Sequence, residues 1–505
     1  MQRGRHILQA LSLSWLSLVV TVVTQLVQIP IALAHLTKPE FSLFAIFSQL
    51  LGYLFILDFG ASSAFARLLI DGRTQGDQTY GSVWMSGFAL LAIQAGLMLA
   101  VVTAATPLIP SLFNVPDDLA ASSNRVFWCL GAVLALRQAT VIIALTIWAA
   151  QRIALANVIQ LCATLLQFAV FVATVGPLKL WSYVLSMLVG SLLPHACYFV
   201  VCVRAGLLPK WSAARASRRQ VAGIFSLGLD ALAISIFGIV VNSSFLVFAG
   251  MVLPLERVAA LSVNLKPVQL FAEAIRRIPQ NCEPYFANLI SSGDLVRFRF
   301  GWMLEGKAVL FLGLLGAAVY AVLCPWIIRW WTSADFVLGP SEIALLSLIP
   351  LRQALHVQFA NHLFLFKALY RIRLVLLVEA ILFAGSAFFL GNRFGATGLL
   401  AAYFLTFAVG ALLPASRELV RLAEISASDF RGLFGGATKL LAAVCFAVLA
   451  GLPWLHDRSL AVTVAGVAAA AAAASWLFVT RSLSPEEKAY AAVILRGSGV
   501  RQAGS

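Results

Sequence analysis

Six charged side chains stand inside long apolar stretches of this sequence, and they are the residues best suited to do chemistry. They are Asp58, Arg137, Asp230, Lys266, Arg352 and Glu379. A charge at the centre of a membrane helix costs about 2.5–3.5 kcal/mol on insertion scales, so each should face a partner or a cavity. Ammonium and guanidinium groups bind phosphate oxygens. The basic residues therefore predict an anion site, and Asp58 and Asp230 predict gating or ion coupling.

An Arg-Gln pair occurs once in each half of the chain, as Arg137-Gln138 and Arg352-Gln353. If the halves are structural repeats, the pairs occupy corresponding positions, and the two arginines are predicted to face one substrate cavity. The alternative is that each arginine bonds to carbonyl groups nearby.

Lys266 precedes Pro267 in a predicted helix that carries Glu273 and Arg276 further along the same flank. Proline loosens or kinks a helix, and a polar, basic, kinked helix beside a cavity suits a diphosphate ligand. Lys266 and Arg276 are therefore predicted to bind substrate. The alternative is that Glu273 forms an interfacial ion pair with Arg276 or Arg277.

A polar stripe runs along the first apolar segment at intervals of three to four residues. Its members are Ser14, Ser17, Thr21, Thr24, Gln25 and Gln28. One helix face would carry all of them, and we expect Gln25 and Gln28 to line the cavity.

Asp58 begins the tripeptide Asp58-Phe59-Gly60, which also occurs as a metal-binding motif in protein kinases. The sequence lacks the Gly-rich loop and the His-Arg-Asp catalytic loop that a kinase requires, and the residues 44–57 are uncharged. A kinase is therefore excluded. Asp58 either braces a packed helix end, for example by pairing with Arg137, or serves as a gate or proton site.

The composition is that of a polytopic membrane protein. The chain has 505 residues, of which 61% are hydrophobic and 11% charged, and a mean hydropathy of +0.92. A spanning helix needs about 20 apolar residues, and that window finds about 14 segments. They are 10–34, 41–66, 82–108, 126–149, 155–175, 181–203, 222–249, 256–278, 303–325, 342–366, 373–390, 395–416, 434–453 and 459–480.

The distribution of Lys and Arg predicts that both termini are cytoplasmic. With this topology, the whole formal net charge of +15 lies on the inner side, which agrees with the positive-inside rule and argues against a nucleic-acid partner. The apolar run Ile7–Leu33 is longer than a signal peptide needs, so it is expected to be an uncleaved first helix. The seven cysteines have no Cys-x-x-Cys spacing, so neither a disulfide framework nor a metal site is expected.

Two pairs of stretches suggest an internal repeat. "TKPEFSLFAIFSQLLGYLF" (37–55) aligns with "LPLERVAALSVNLKPVQLF" (253–271), and "QRIALANVIQ" (151–160) with "YRIRLVLLVE" (370–379). A shift of six helices makes the repeats parallel. We therefore predict six-helix lobes in 1–220 and 221–433, around a central cavity used by alternating access, and two peripheral helices in 434–505. Chance similarity between apolar helices is the alternative.

Three stretches resemble the bacterial polysaccharide and O-antigen flippases of the multidrug/oligosaccharidyl-lipid/polysaccharide (MOP) exporter superfamily. They are "HLTKPEFSLFAIFSQLLGYLFILDFGASSAFAR", "AAQRIALANVIQ" and "PYFANLISSGDLVRFRF". The resemblance implies a two-lobe transporter, without a cofactor, in the bacterial inner membrane. It also implies that undecaprenyl-diphosphate-linked oligosaccharide moves from the cytoplasmic to the periplasmic leaflet, with other polysaccharide-assembly membrane proteins as partners.

Three other functions compete with this interpretation. A cation-coupled drug exporter of the same fold predicts cavity carboxylates unpaired by bases, whereas acids and bases are balanced here. A membrane glycosyl-transfer or polymerising enzyme predicts a long outer loop with polar catalytic residues, and the predicted outer loops are short. A flippase for the peptidoglycan precursor shares both fold and diphosphate head group, so the sequence separates it poorly.

Overall fold

Hydrophobic helices make up almost all of the described chain. The computed structural model describes residues 2–58, 76–150, 152–209, 244–426 and 460–488, with a few isolated positions between these ranges. In these residues the regular elements are helices, and no β-strand is present. The chain divides into two compact units, Met1–Ser262 and Val263–Ser505.

Seven helices of eight or more residues lie wholly within the described part of the N-terminal unit. They are α1 (Gln2–His35), α2 (Lys38–Tyr53), α3 (Asp77–Ala105), α4 (Asp117–Ala149), α5 (Ile153–Leu178), α6 (Trp181–Arg204) and α7 (Phe245–Val252). A 3-10 segment, Leu54–Asp58, follows α2. Helix α4 packs against α3 and α6, and α5 packs against α1 and α6.

Helix α8 (Leu255–Ser291) begins in the N-terminal unit and continues into the C-terminal unit. The further helices of the described C-terminal unit are α9 (Leu295–Trp331), α10 (Pro340–Ser347), α11 (Ile349–Leu365), α12 (Leu369–Thr406), α13 (Leu413–Leu422) and α14 (Leu460–Leu477). A π-helical stretch, Phe407–Leu412, joins α12 to α13. Helix α9 packs against α10, α11 and α14.

Local sequence signals explain where several helices start and bend. Thr37 caps α2 in a capping box, because its hydroxyl accepts from the Glu40 amide while the Glu40 carboxylate accepts from the Thr37 amide. Asp294 caps α9 through the Arg297 amide. Helix α12 bends at Gly395, whose φ of 62° is a left-handed conformation that glycine adopts without strain.

The helices fit a multi-pass membrane protein. Ten helical spans in the described residues are long and apolar enough to cross a bilayer, and Val19–His35 is a shorter apolar helix. The 53-residue span Tyr370–Leu422 covers two predicted segments, 373–390 and 395–416, which meet at the bend. The predicted segments 222–249 and 434–453 lie largely outside the described residues. The predicted all-helical, polytopic fold class is confirmed.

Candidate functional site

A polar triad, formed by Asp58, Gln94 and Gln138, joins three elements of the N-terminal unit. The Gln138 amide nitrogen donates to Asp58 Oδ1 at 2.8 Å and to Gln94 Oε1 at 3.1 Å. The Gln94 amide nitrogen donates to the Asp58 carbonyl oxygen at 3.0 Å. Both glutamines are buried, and Asp58 is half-buried. The triad therefore holds the end of the 3-10 segment against α3 and α4, and it places Asp58 at a brace between packed helices.

Arg137 lies next to this triad in sequence but points elsewhere on α4. Its side chain is half-buried, and it acts electrostatically on His195 of the neighbouring helix α6. The His195 Nδ1 is 2.7 Å from the Ser191 carbonyl oxygen, which bonds the ring to its own helix. Arg137 therefore adds positive charge to the α4–α6 contact.

A buried ionic cluster lies between α11 and α12 in the C-terminal unit. The Arg352 guanidinium donates to Glu379 Oε1 at 2.6 Å, and the two side chains are 1% and 0% exposed. Arg352 Nε donates to the Tyr403 carbonyl oxygen, and the guanidinium stacks 3.6 Å from the centre of the Tyr403 ring. His356 Nδ1 is 3.5 Å from the other carboxylate oxygen, Glu379 Oε2. The charge of Arg352 is thus neutralised inside its own unit.

The two Arg-Gln pairs occupy different environments. In Arg137-Gln138 the glutamine is buried and the arginine half-buried, whereas in Arg352-Gln353 the arginine is buried and the glutamine half-buried. Consecutive residues of an α-helix point about 100° apart, so one member of each pair faces the core of its unit. Gln138 belongs to the polar triad of the N-terminal unit, and Arg352 belongs to the buried ionic cluster of the C-terminal unit.

Lys266 is half-buried on α8 and forms no hydrogen bond or ion pair with any described residue. Its neighbour Asn264 is fully buried, donates to the Phe336 carbonyl oxygen at 2.7 Å and accepts from the Cys324 thiol. The Asn264 carbonyl oxygen accepts from the Tyr320 hydroxyl. These bonds fix the rotation of α8 at Asn264, and thereby the direction in which the ammonium group of Lys266 points.

Arg276 lies three residues beyond Glu273 on the same helix, and the two form an ion pair. Their side chains are 31% and 42% exposed. Helix α8 remains helical through Pro267. Two basic residues of α8 are predicted to bind substrate. Arg276 is paired with the carboxylate of Glu273, whereas Lys266 has no carboxylate partner among the described residues.

Gln25 and Gln28 are half-buried on α1, and the hydroxyl groups of the same stripe bond to their own helix. Thr21 donates to the Ser17 carbonyl oxygen, and Thr24 donates to that of Thr21. The glutamine amides are therefore the groups of the described stripe that can offer both donors and acceptors to a ligand. Asp230, predicted for ion coupling, lies outside the described residues.

Two further buried clusters escaped the sequence analysis. Glu305 of α9 meets Gln358 and His362 of α11, and Lys307 of α9 forms an ion pair with Glu487 at 2.8 Å. Glu305 and Lys307 stand at the start of an apolar segment, where charges are common, and their partners are distant in sequence. The i, i+4 spacing of Gln358 and His362 was the available signal, since it places both on one helix face.

Among the described residues, no group of His, Cys, Asp and Glu side chains is arranged to hold a metal ion.

Solved structures of transporters share this fold. An inward-facing multidrug resistance MATE family transporter of the MOP superfamily superposes with a TM-score of 0.63 at 14% identity, over 81% of this chain and 96% of that chain. The lipid II flippase MurJ, in an inward closed conformation, gives a TM-score of 0.66 at 13% identity, and the alignment covers 94% of this chain and 98% of MurJ. The eukaryotic MATE transporter AtDTX14 gives 0.55 at 15% identity, over 83% and 98%.

Comparison at the sequence level is less informative: no protein-family model matches this chain, and no curated protein sequence does. At the identities quoted, the structural likeness shows the fold, which is the one that MATE transporters and MurJ have in common as MOP superfamily members. The chain is therefore a multi-pass membrane protein whose fold is similar to that of these MATE transporters and MurJ, and its function has to be argued from its own residues.

Proposed function

We propose that this protein is a flippase for undecaprenyl-diphosphate-linked oligosaccharide, which it moves from the cytoplasmic to the periplasmic leaflet of the bacterial inner membrane. Its product would supply surface polysaccharide synthesis, as O-antigen or exopolysaccharide. The proposal is supported by the MOP transporter fold and by the three stretches that resemble polysaccharide flippases. Both termini are proposed to be cytoplasmic, because the net positive charge then lies inside.

Lys266 is the observation that carries this proposal. A half-buried ammonium group on a membrane helix, without a carboxylate among the described residues, is costly unless an anion neutralises it during the transport cycle. Asp58 and Glu379 differ from Lys266, because Asp58 accepts a hydrogen bond from Gln138 and Glu379 is paired with Arg352. This distribution favours an anionic head group over a cationic drug.

The diphosphate would be bound chiefly by Lys266 of the C-terminal unit, while Arg137, Arg276, Gln25, Gln28 and Gln353 remain substrate-binding residues predicted from the sequence. Lysine binds phosphate as a compact point charge and has three rotatable donors, so it can follow a moving ligand. Each negative charge that moves outward gains about 2.3 kcal/mol per 100 mV of inside-negative potential. The membrane potential can therefore assist the transfer, while Asp58 and Asp230 remain the proposed gating or coupling residues.

A flippase for the peptidoglycan precursor is the second candidate. The alignment with the lipid II flippase MurJ covers 94% of this chain, against 81% and 83% for the two MATE transporters. A lipid-linked diphosphate is common to both flippase proposals, so Lys266 has the same role in each. The two proposals differ only in the sugar.

The deciding experiment measures the sidedness of lipid-linked oligosaccharide in cells with and without this protein. We expect the intermediate to accumulate on the cytoplasmic leaflet when the protein is absent, and the Lys266→Met variant to lower flipping by about tenfold or more. Hydrogen bonds to charged groups contribute about 1.5–3 kcal/mol, and 1.4 kcal/mol corresponds to a factor of ten. Lys266→Arg keeps the charge and should retain most of the activity.

Arg125→Ala is the matched control. The Arg125 side chain is exposed, and its Nε donates to a carbonyl oxygen of its own helix, so its loss should leave flipping unchanged. Accumulation of peptidoglycan precursor alone would favour the second candidate. Unchanged sidedness of both lipids on deletion would refute both flippase proposals, and cation-driven drug export would then be measured.

A further inference from the structure

A buried carboxyl group faces an imidazole between α9 and α11 of the C-terminal unit. Glu305 Oε2 lies 3.3 Å from His362 Nε2, and both side chains are 2% exposed. The same oxygen accepts from the Gln358 amide nitrogen at 3.2 Å. Glu305 Oε1 has no hydrogen-bond partner in the described part of the chain.

The hydrogen bonds of His362 determine which of its nitrogens carries a proton. His362 Nδ1 lies 2.6 Å from the Gln358 carbonyl oxygen, and a carbonyl oxygen can only accept, so Nδ1 must be the donor. In a neutral imidazole the other nitrogen, Nε2, is then an acceptor. An ionised Glu305 would place two acceptors opposite each other, so the contact between Nε2 and Oε2 requires one additional proton.

The surroundings indicate that this proton belongs to the carboxyl group. The His362 ring packs edge-on against Phe286 and Phe298, with ring centres 4.8 and 5.6 Å away. An ion pair in such an apolar site loses the hydration of two charges, whereas a neutral acid donating to a neutral imidazole loses much less. Glu305 Oε1 accepts no hydrogen bond from the described residues. Burying such an oxygen costs far less free energy when it is the carbonyl oxygen of a neutral acid than when it is part of a charged carboxylate.

Other titratable groups near the pair are engaged or neutral. Cys282 of α8 is within electrostatic range of Glu305 and is an uncharged thiol donor or acceptor. Four charged groups on neighbouring helices have partners of their own. These are Glu283 with Asn361, Lys307 with Glu487, Glu379 with Arg352, and Glu418 with Arg371 and Arg421. None of these contacts supplies a cation to Glu305.

We propose that Glu305 and His362 form a proton-binding site, in which the protonated carboxyl group of Glu305 donates to the neutral His362 ring. The pair joins two different helices, so a movement that separates α9 from α11 removes the acceptor and admits water to the acid. Proton release is thereby coupled to that movement. The site lies in the C-terminal unit and is separate from Asp58 and from Lys266.

Infrared difference spectroscopy of the purified full-length protein tests the site without any substrate, so its result is independent of the proposed flippase function. We expect the wild type at neutral pH to show the C=O stretching band of a protonated carboxylic acid that is lost in Glu305→Gln. The glutamine amide can donate to His362 in place of the acid, so this variant should fold. Nitrogen-15 NMR of labelled histidine should show His362 as a neutral ring protonated at Nδ1.

Glu418→Gln is the matched control, because Glu418 lies 2.9 Å from Arg421 on α13 and should be ionised. Its substitution should remove carboxylate bands and leave the protonated-acid band intact. The proposal is overturned if Glu305→Gln removes only carboxylate bands at neutral pH, or if the NMR spectrum shows His362 as an imidazolium. It is also overturned if Glu305→Gln and Glu418→Gln give the same difference spectrum.

Discussion

Removing Arg352 should destabilise the C-terminal unit strongly, because it leaves Glu379 buried without its cation. The two side chains are 1% and 0% exposed and are joined at 2.6 Å. Breaking a buried pair by removing one partner costs about 3–5 kcal/mol. Arg352→Met also removes the guanidinium stacked 3.6 Å from the Tyr403 ring, a contact that contributes about 0.5–2 kcal/mol. The expected loss is therefore near the upper end of the range for the pair.

The assay is reversible unfolding of the purified protein in mixed micelles, followed as the fraction of denaturing detergent increases. Arg421→Met is the control, because its pair with Glu418 is 2.9 Å long but the arginine is 67% exposed, and such pairs contribute about 0–1 kcal/mol. The double variant Arg352→Met, Glu379→Leu should recover most of the lost stability. Replacing a buried pair by apolar residues of similar volume is often neutral or stabilising.

Two results would refute this reasoning. Equal destabilisation by Arg352→Met and Arg421→Met would mean that burial of the pair has no energetic consequence. A double variant as unstable as Arg352→Met alone would mean that the loss comes from packing around the guanidinium and not from an uncompensated carboxylate. The interaction free energy from the full double-mutant cycle distinguishes these two explanations.

Two further predictions use pairs of matched substitutions. Gln138→Leu removes the amide that holds the polar triad and should cost about 1–3 kcal/mol, measured by the same unfolding assay, whereas Gln353→Leu should stay within about 0.5 kcal/mol. Gly316→Ala places a Cβ 2.0 Å from the Phe271 ring and should cost about 1–3 kcal/mol, whereas Gly385→Ala meets open space and should be neutral or stabilising. Similar values within either pair would contradict the packing on which these predictions depend.

The helical fold could be predicted from the sequence because a bilayer imposes the length and composition of each spanning helix. Most of the apolar runs of about 20 residues correspond to observed spans, and α2 begins at Lys38, three residues before the predicted segment 41–66. The two predicted segments 373–390 and 395–416 are separated by the bend at Gly395, but the left-handed conformation of that residue could not be predicted. A hydropathy profile shows a polar interruption between the two segments, but it does not show whether the helix bends or ends at that point.

The polar contacts were harder to predict because they depend on helix rotation and on partners distant in sequence. The sequence identified Arg137-Gln138 as a unit, yet Gln138 is buried and bonds to Asp58, whereas Arg137 is half-buried on another face of α4. Glu305 was not among the membrane charges at all, because it stands where an apolar segment begins. A shift of one residue in a helix turns a side chain by about 100°, which hydropathy over a 20-residue window cannot resolve.

Three carboxyl groups inside the described helices have side-chain partners, whereas Lys266 has none among the described residues, and this difference bears on the proposed substrate. Asp58, Glu305 and Glu379 each accept a hydrogen bond from a side chain of another element. A cationic substrate would have to displace the donor at Asp58 or at Glu379, and Glu305, in the protonated state proposed above, offers it no negative charge. Lys266 has no such partner among the described residues, so an anion that reaches it displaces none of their side chains. The lower cost of binding an anion at Lys266 is therefore the strongest physical reason to expect a phosphate-bearing lipid as the cargo.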